Sequence, residues 1–192
     1  MKRFKLCYEL PEKQGKPIEY IAPQLLDTNQ PDYEWNDTDN LRLRYEYEFM
    51  PKGIITRFIV EMHRSIFEPN VWRSGVIFQR DNTYAEVIET YNGKEIKIRL
   101  SGENKRGFLE IITDKLDEIH DKYNRLKVKK IIPCNCDTCK NARIPYFHKL
   151  DVLRRLSFIR KQTQIQYQNS GYMVKIYKLI DDSIGRQQFT QQ

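Results

Sequence analysis

Three cysteines stand within six residues in the stretch Pro133-Cys134-Asn135-Cys136-Asp137-Thr138-Cys139. A turn there can aim three thiolates at one centre, about 2.3 Å from a zinc ion. A structural site needs a fourth ligand, and the sequence offers His148, on a stretch with helical spacing, or Cys7 if the first strand lies nearby. Cys134, Cys136, Cys139 and His148 are therefore the candidate metal set, with a structural zinc as the candidate cofactor. The alternative is three reduced thiols in a turn that holds no metal. Four cysteines in 192 residues are too few for a disulfide scaffold.

Other catalytic patterns do not emerge. His63 and His120 each fall on a predicted helix, without a Ser, Cys or second His at a spacing that would make a nucleophile and base, and are expected at the surface or its boundary. The carboxylates of Glu46, Glu48, Asp114, Asp117 and Glu118 occupy positions where solvated charges sit, and no pair stands out as acid and base. The chain has no G-x-x-x-x-G-K-[ST] phosphate loop and no G-x-G-x-x-G fingerprint, and its eight glycines are scattered singly. The expectation is a protein without catalytic residues or a nucleotide site of its own.

The charge is uneven. Twelve Lys/Arg against three Asp between Asp121 and Lys161 give that segment +9, while the whole chain carries +7, so the remainder is slightly acidic. Such a bias suits nucleic acid, an anionic membrane surface or an acidic protein, or is simply a solvated face. Aromatics such as Tyr146, Phe147 and Tyr167 recur at a spacing more typical of core than of base stacking, so nucleic acid is not the expected partner. No apolar run is long enough to span a bilayer and no secretion signal follows Met1, so the expected location is the cytoplasm.

The elements that must position these residues follow from periodicity. Phe4 to Leu10 alternates at period two, Tyr20 to Ala22 is a short extended stretch, and Leu41 to Phe49 alternates for nine positions, the clearest strand. Apolar residues at helical spacing mark a helix from Pro51 to about Ser65 and another from Phe108 to Tyr123, with Asn104 as its cap. Between them lie strands at Trp72 to Gln79, Thr83 to Thr90 and Lys94 to Leu100, the last two joined by an Asn92-Gly93 turn. This order predicts an α+β fold, helices packed on one face of an antiparallel sheet, over residues 1–126. Residues 127–180 read as a small appended basic module: a strand at Val128 to Ile132, the cysteines, a helix from Tyr146 to Arg160, and a hairpin about Asn169-Ser170-Gly171. The tail, 181–192, is expected to be flexible.

Taken together, Leu43-Arg44-Tyr45-Glu46-Tyr47-Glu48-Phe49-Met50-Pro51-Lys52-Gly53-Ile54-Ile55, Val71-Trp72-Arg73-Ser74-Gly75-Val76, the helix Leu109 to His120, the cysteine stretch and Ser170-Gly171-Tyr172-Met173-Val174 to Asp182 resemble the second half of the COR domain of bacterial Roco proteins. The resemblance implies a parent chain with leucine-rich repeats, then a Roc GTPase domain holding GTP or GDP and magnesium, then COR. It further implies homodimerisation through this region, coupled to the GTPase cycle. Relatives with the same cysteine stretch carry a further Cys in the segment matching Gln164 to Tyr167. Here Tyr167 takes that place, which leaves His148 as the substitute.

Overall fold

The computed structural model describes residues 6–10, 17–37, 39–140, 145–166 and 173–181. In chain order the elements are β1 (Tyr8–Glu9), β2 (Tyr20–Ile21), β3 (Leu41–Tyr47), α1 (Ile54–Met62), β4 (Ile66–Trp72), β5 (Gly75–Arg80), β6 (Thr83–Thr90), β7 (Glu95–Gly102), α2 (Lys105–His120), β8 (Val128–Pro133), α3 (Asp137–Lys140), β9 (Phe147–Lys149), α4 (Leu150–Phe158), β10 (Gln164–Gln166), β11 (Met173–Lys175) and α5 (Ile176–Asp181). A seven-stranded antiparallel sheet of order β4-β5-β6-β7-β3-β8-β9 forms the centre, and β1-β2 and β10-β11 are separate ribbons. Helices α1 and α2 pack on each other and on β5, β6 and β7. This is the expected α+β architecture.

Strand β3 follows its alternation closely: Leu41, Leu43, Tyr45 and Tyr47 are buried, while Arg42 and Glu46 point to solvent. It lies inside the sheet between β7 and β8, so one face of the strand meets the helices while the other keeps its charges. The buried set Ile54, Ile55, Phe58, Ile59 and Met62 gives α1 its core stripe. The helix begins after Gly53, whose φ of 89° suits a residue without a β-carbon. Gly53 brings no side-chain cap; instead the Glu89 carboxylate from β6 accepts from the Ile55 N–H at 3.3 Å. Helix α2 is capped as expected, Asn104 Oδ1 accepting from the Gly107 N–H at 3.3 Å. The Asn104 N–H donates in turn to the buried Thr83 Oγ1 at 2.9 Å, fastening the helix start to the sheet.

The strand expected from Trp72 to Gln79 is two strands, β4 and β5, folded back at Arg73-Ser74 with Trp72 opposite Gly75. The pairing explains the Trp-Arg-Ser-Gly sequence: a β-carbon on Gly75 would sit 2.3 Å from Cζ2 of the buried Trp72 indole. Glu68-Pro69-Asn70, which reads as a break, lies within β4, where the register shifts between Ile66 and Val71. β4 is at the sheet edge, the place where a residue with no N–H to donate is tolerated.

The sheet crosses the compositional boundary at Lys127: β8 pairs with β3, and β9 pairs with β8. The helix expected from Tyr146 to Arg160 is β9 followed by α4, because Phe147 to Lys149 completes the ladder to β8 and Lys149 is still extended at ψ 124°. β10 and β11 form the expected small hairpin, although its turn, like Phe4, Tyr167 and the tail from 182, lies outside the described residues. One apolar cluster runs from Tyr8 through the sheet and helices to Cys134, Cys139, Leu153 and Leu179. Among the described residues, no helix is long and apolar enough to cross a membrane.

Candidate functional site

The cysteines sit where the β8–β9 ladder runs out. Pro133 opposite Phe147 is its last register pair, and the Cys134 N–H donating to Tyr146 O at 2.7 Å holds the chain one step further. The backbone then turns into the single-turn helix α3, which brings Cys139 back toward Cys134. The Sγ atoms of Cys134, Cys136 and Cys139 all lie within 4.8 Å of one another, and all are free thiols. Cys134 and Cys139 are buried and Cys136 is half-buried. Burial pushes the Cys134 thiol up to about 12. Cys136 goes the other way: burial would raise it, but hydrogen bonds involving the Cys139 backbone and the neighbouring thiols hold it below its ordinary value.

His148 lies in β9, opposite Ile132. It is only 5% exposed, and its Nε2 has no hydrogen-bond partner among the described residues. Burial lowers its pKa below that of a free imidazole. The metal-capable group formed by the described residues is the three thiols; His148 and Cys7 stand outside it. Cys7 is buried next to β1. A cleft of about 800 Å³ between the start of α2 and the cysteine turn reaches Cys134 and Cys139, with Arg42, Lys105 and Arg106 on its walls.

A second constellation was not legible as a site. His120, expected near the surface, is buried, with Nε2 hydrogen-bonded to Tyr47 Oη at 2.8 Å. Its Nδ1 is 3.8 Å from Asp117 Oδ1, which also accepts from Tyr45 Oη at 3.1 Å, while Lys130 Nζ bonds Asp117 Oδ2. The signal was present: Tyr45 and Tyr47 share the inward face of β3, and Asp117 and His120 are three apart on α2, adjoining the buried Leu116 and Ile119. Burial pushes both tyrosines above their ordinary value, so neither hydroxyl ionises readily. The network cross-links α2 to β3 and β8 without presenting a nucleophile. For Asp117, burial would raise the carboxyl, but the His120 ring and the Lys130 ammonium beside it outweigh burial and hold the pKa below the usual carboxylate range. The stability this contributes is present above the unfolded value, about pH 4, and is lost as pH falls through the depressed folded value. Asp117→Asn is therefore expected to lower the urea midpoint at neutral pH and to flatten its decline in acid; parallel curves for the two proteins would contradict this.

On the far side of the sheet, Glu86 is buried and bonds Arg99 twice, at 2.5 and 2.7 Å, and accepts from Tyr33 Oη. Arg99 also reaches Asp37 at 3.0 Å and lies 4.5 Å over the Trp35 ring. The segment between β2 and β3 is thereby strapped across the outer face, beside a cleft of about 470 Å³ walled by Tyr33, Trp35, Phe67 and Tyr84.

Comparison with known proteins places these features in a family. A curated protein of Runella zeae named Roc-COR-CHAT protease is 30% identical over 135 residues, covering 67% of this chain, and the match spans 14% of that protein's length. The family model described as C-terminal of Roc, COR-B domain matches residues 38–182, from just before β3 to the end of α5. This chain thus belongs to the COR-B family.

Proposed function

We propose that the chain is a non-catalytic dimerisation and regulatory scaffold of a Roco protein, coupling dimerisation to the GTPase cycle of an adjoining Roc domain. The observation that carries this reading is the COR-B match across residues 38–182, which takes in the whole main sheet and the C-terminal elements. The name of the Runella zeae protein joins Roc and COR in one chain, and supports a Roc domain in the parent. GTP or GDP and magnesium belong to that domain, leucine-rich repeats precede it, and the parent works in the cytoplasm. For contact with a second copy, the fold leaves large apolar side chains in solvent, among them Leu25 at 80%, Phe49 at 70% and Ile159 at 77% exposed. If dimerisation and turnover are coupled, GTP hydrolysis per Roc site in the parent changes with protein concentration across the dimerisation midpoint. A rate per site that is flat over that range would sink the coupling.

A second reading, a basic adaptor for nucleic acid or another anionic surface, has a specific observation in its favour. The exposed Arg154, Arg155, Arg160 and Lys161 flank exposed Phe158 and Ile159 at the end of α4. Retention on heparin that weakens steeply with salt near 0.15 M supports it, and passage without retention at low salt removes it.

A further inference from the structure

We propose that Cys134, Cys136 and Cys139 hold a zinc ion as thiolates and that Nε2 of His148 is the fourth ligand, closing a structural site that staples the β8–β9 loop to the sheet. The proposal is independent of the scaffold reading and rests on three observations. The three sulfurs lie within 4.8 Å of one another, near the edge of roughly 3.8 Å that a sulfur tetrahedron has when its bonds to zinc are about 2.3 Å. His148 is 5% exposed and its Nε2 is without a partner among the described residues, although buried polar atoms are ordinarily hydrogen-bonded. A buried imidazole nitrogen facing no partner is what a metal ligand offers.

The register supplies the third observation. Ile132 is opposite His148, so Cys134, two residues beyond Ile132, lies on the same face as His148, and all three are buried there. Diagonal neighbours on an antiparallel ladder are roughly 7–8 Å apart, less between β-carbons. A thiolate and an imidazole meeting at one zinc, with bonds of about 2.3 and 2.0 Å, span that gap. His148 stands outside the thiol group in the structure, so coordination requires its ring to turn toward the sulfurs. The cleft that reaches Cys134 and Cys139 gives the ion its route in. Each thiol that binds gives its proton to solvent, so affinity falls as pH falls. Four protein ligands leave no open position, which makes the ion structural rather than hydrolytic.

The test uses the 192-residue chain, expressed without an affinity histidine tag and purified without chelator, with zinc measured by elemental analysis and cobalt(II) exchanged into the site. About one zinc per chain is expected, with the visible bands and thiolate charge transfer of tetrahedral cobalt. His148→Cys is expected to keep the metal and move the cobalt bands toward those of four sulfurs. His148→Ala is expected to change the cobalt spectrum and weaken zinc binding at least about tenfold. Less than about 0.1 zinc per chain together with no cobalt bands overturns the site. A cobalt spectrum identical in wild type and His148→Ala overturns the fourth ligand, and zinc binding unaltered by Cys136→Ser overturns the thiolate set.

Discussion

Phe58→Ala is expected to destabilise the fold by about 3–5 kcal/mol, a large part of the roughly 5–15 kcal/mol that holds a domain together. Phe58 is fully buried in the middle of α1, and its ring meets Phe78 of β5 edge-on with centroids 5.5 Å apart. Its neighbours Ile54, Ile55 and Ile59 are buried on the same helix, and α2 packs beside it. Because sheet and second helix hold this space open from two sides, the surroundings can collapse only partly into the cavity. That places the loss toward the upper part of the range rather than the lower. Urea unfolding of the two proteins measures it. A loss under about 1 kcal/mol, the size of a surface substitution, would mean that α1 does not pack on β5 as described.

The second large effect is expected from Glu86→Ala. Its side chain is 6% exposed and its carboxylate accepts two bonds from Arg99 and one from Tyr33, so removal leaves a guanidinium and a hydroxyl together without their acceptor. Breaking a buried pair from one side costs about 3–5 kcal/mol, and the Arg99 side chain, 27% exposed, keeps enough solvent to put this case at the lower end. The damage should be local as well as global. Tyr33, Asp37 and Trp35 all converge on Glu86 or Arg99, so the 27–40 segment loses its fastening to the outer face and becomes more open to protease. Glu86→Gln keeps an acceptor and should recover part of the stability. Equal stability of wild type and Glu86→Ala, with no added cleavage in that segment, would contradict the strap.

The elements that alternate or repeat strongly were legible from the residues. β3 buries every second side chain because one face of its sheet meets the helices and the other does not, and α1 and α2 show their apolar stripes in the spacing of their residues. The parts that were not legible depended on partners remote in the chain. β4 reads as a break because Pro69 suits a loop as well as a sheet edge, and only the sheet order settles which. Phe147 shares the helix-like apolar spacing of Leu150, Leu153 and Leu156, yet the pairing of Phe147 to Lys149 with β8 wins, and this moved His148 from a helix to a strand. The same cause hid the Tyr47–His120 and Tyr45–Asp117 bonds, which join residues more than seventy positions apart. The cysteine cluster was readable because its members are neighbours in sequence; His148 was readable as a candidate from its residue type, but its place on a strand opposite Ile132 is a matter of register.

The proposed role rests most directly on assembly. Light scattering on the Roc-containing parent, loaded in turn with GDP and with a non-hydrolysable GTP analogue, measures it. The account predicts a two-chain mass in at least one nucleotide state and a dimerisation constant that differs between the two. A one-chain mass in both states up to about 100 µM, weaker than a useful interface on the affinity scale, would contradict it.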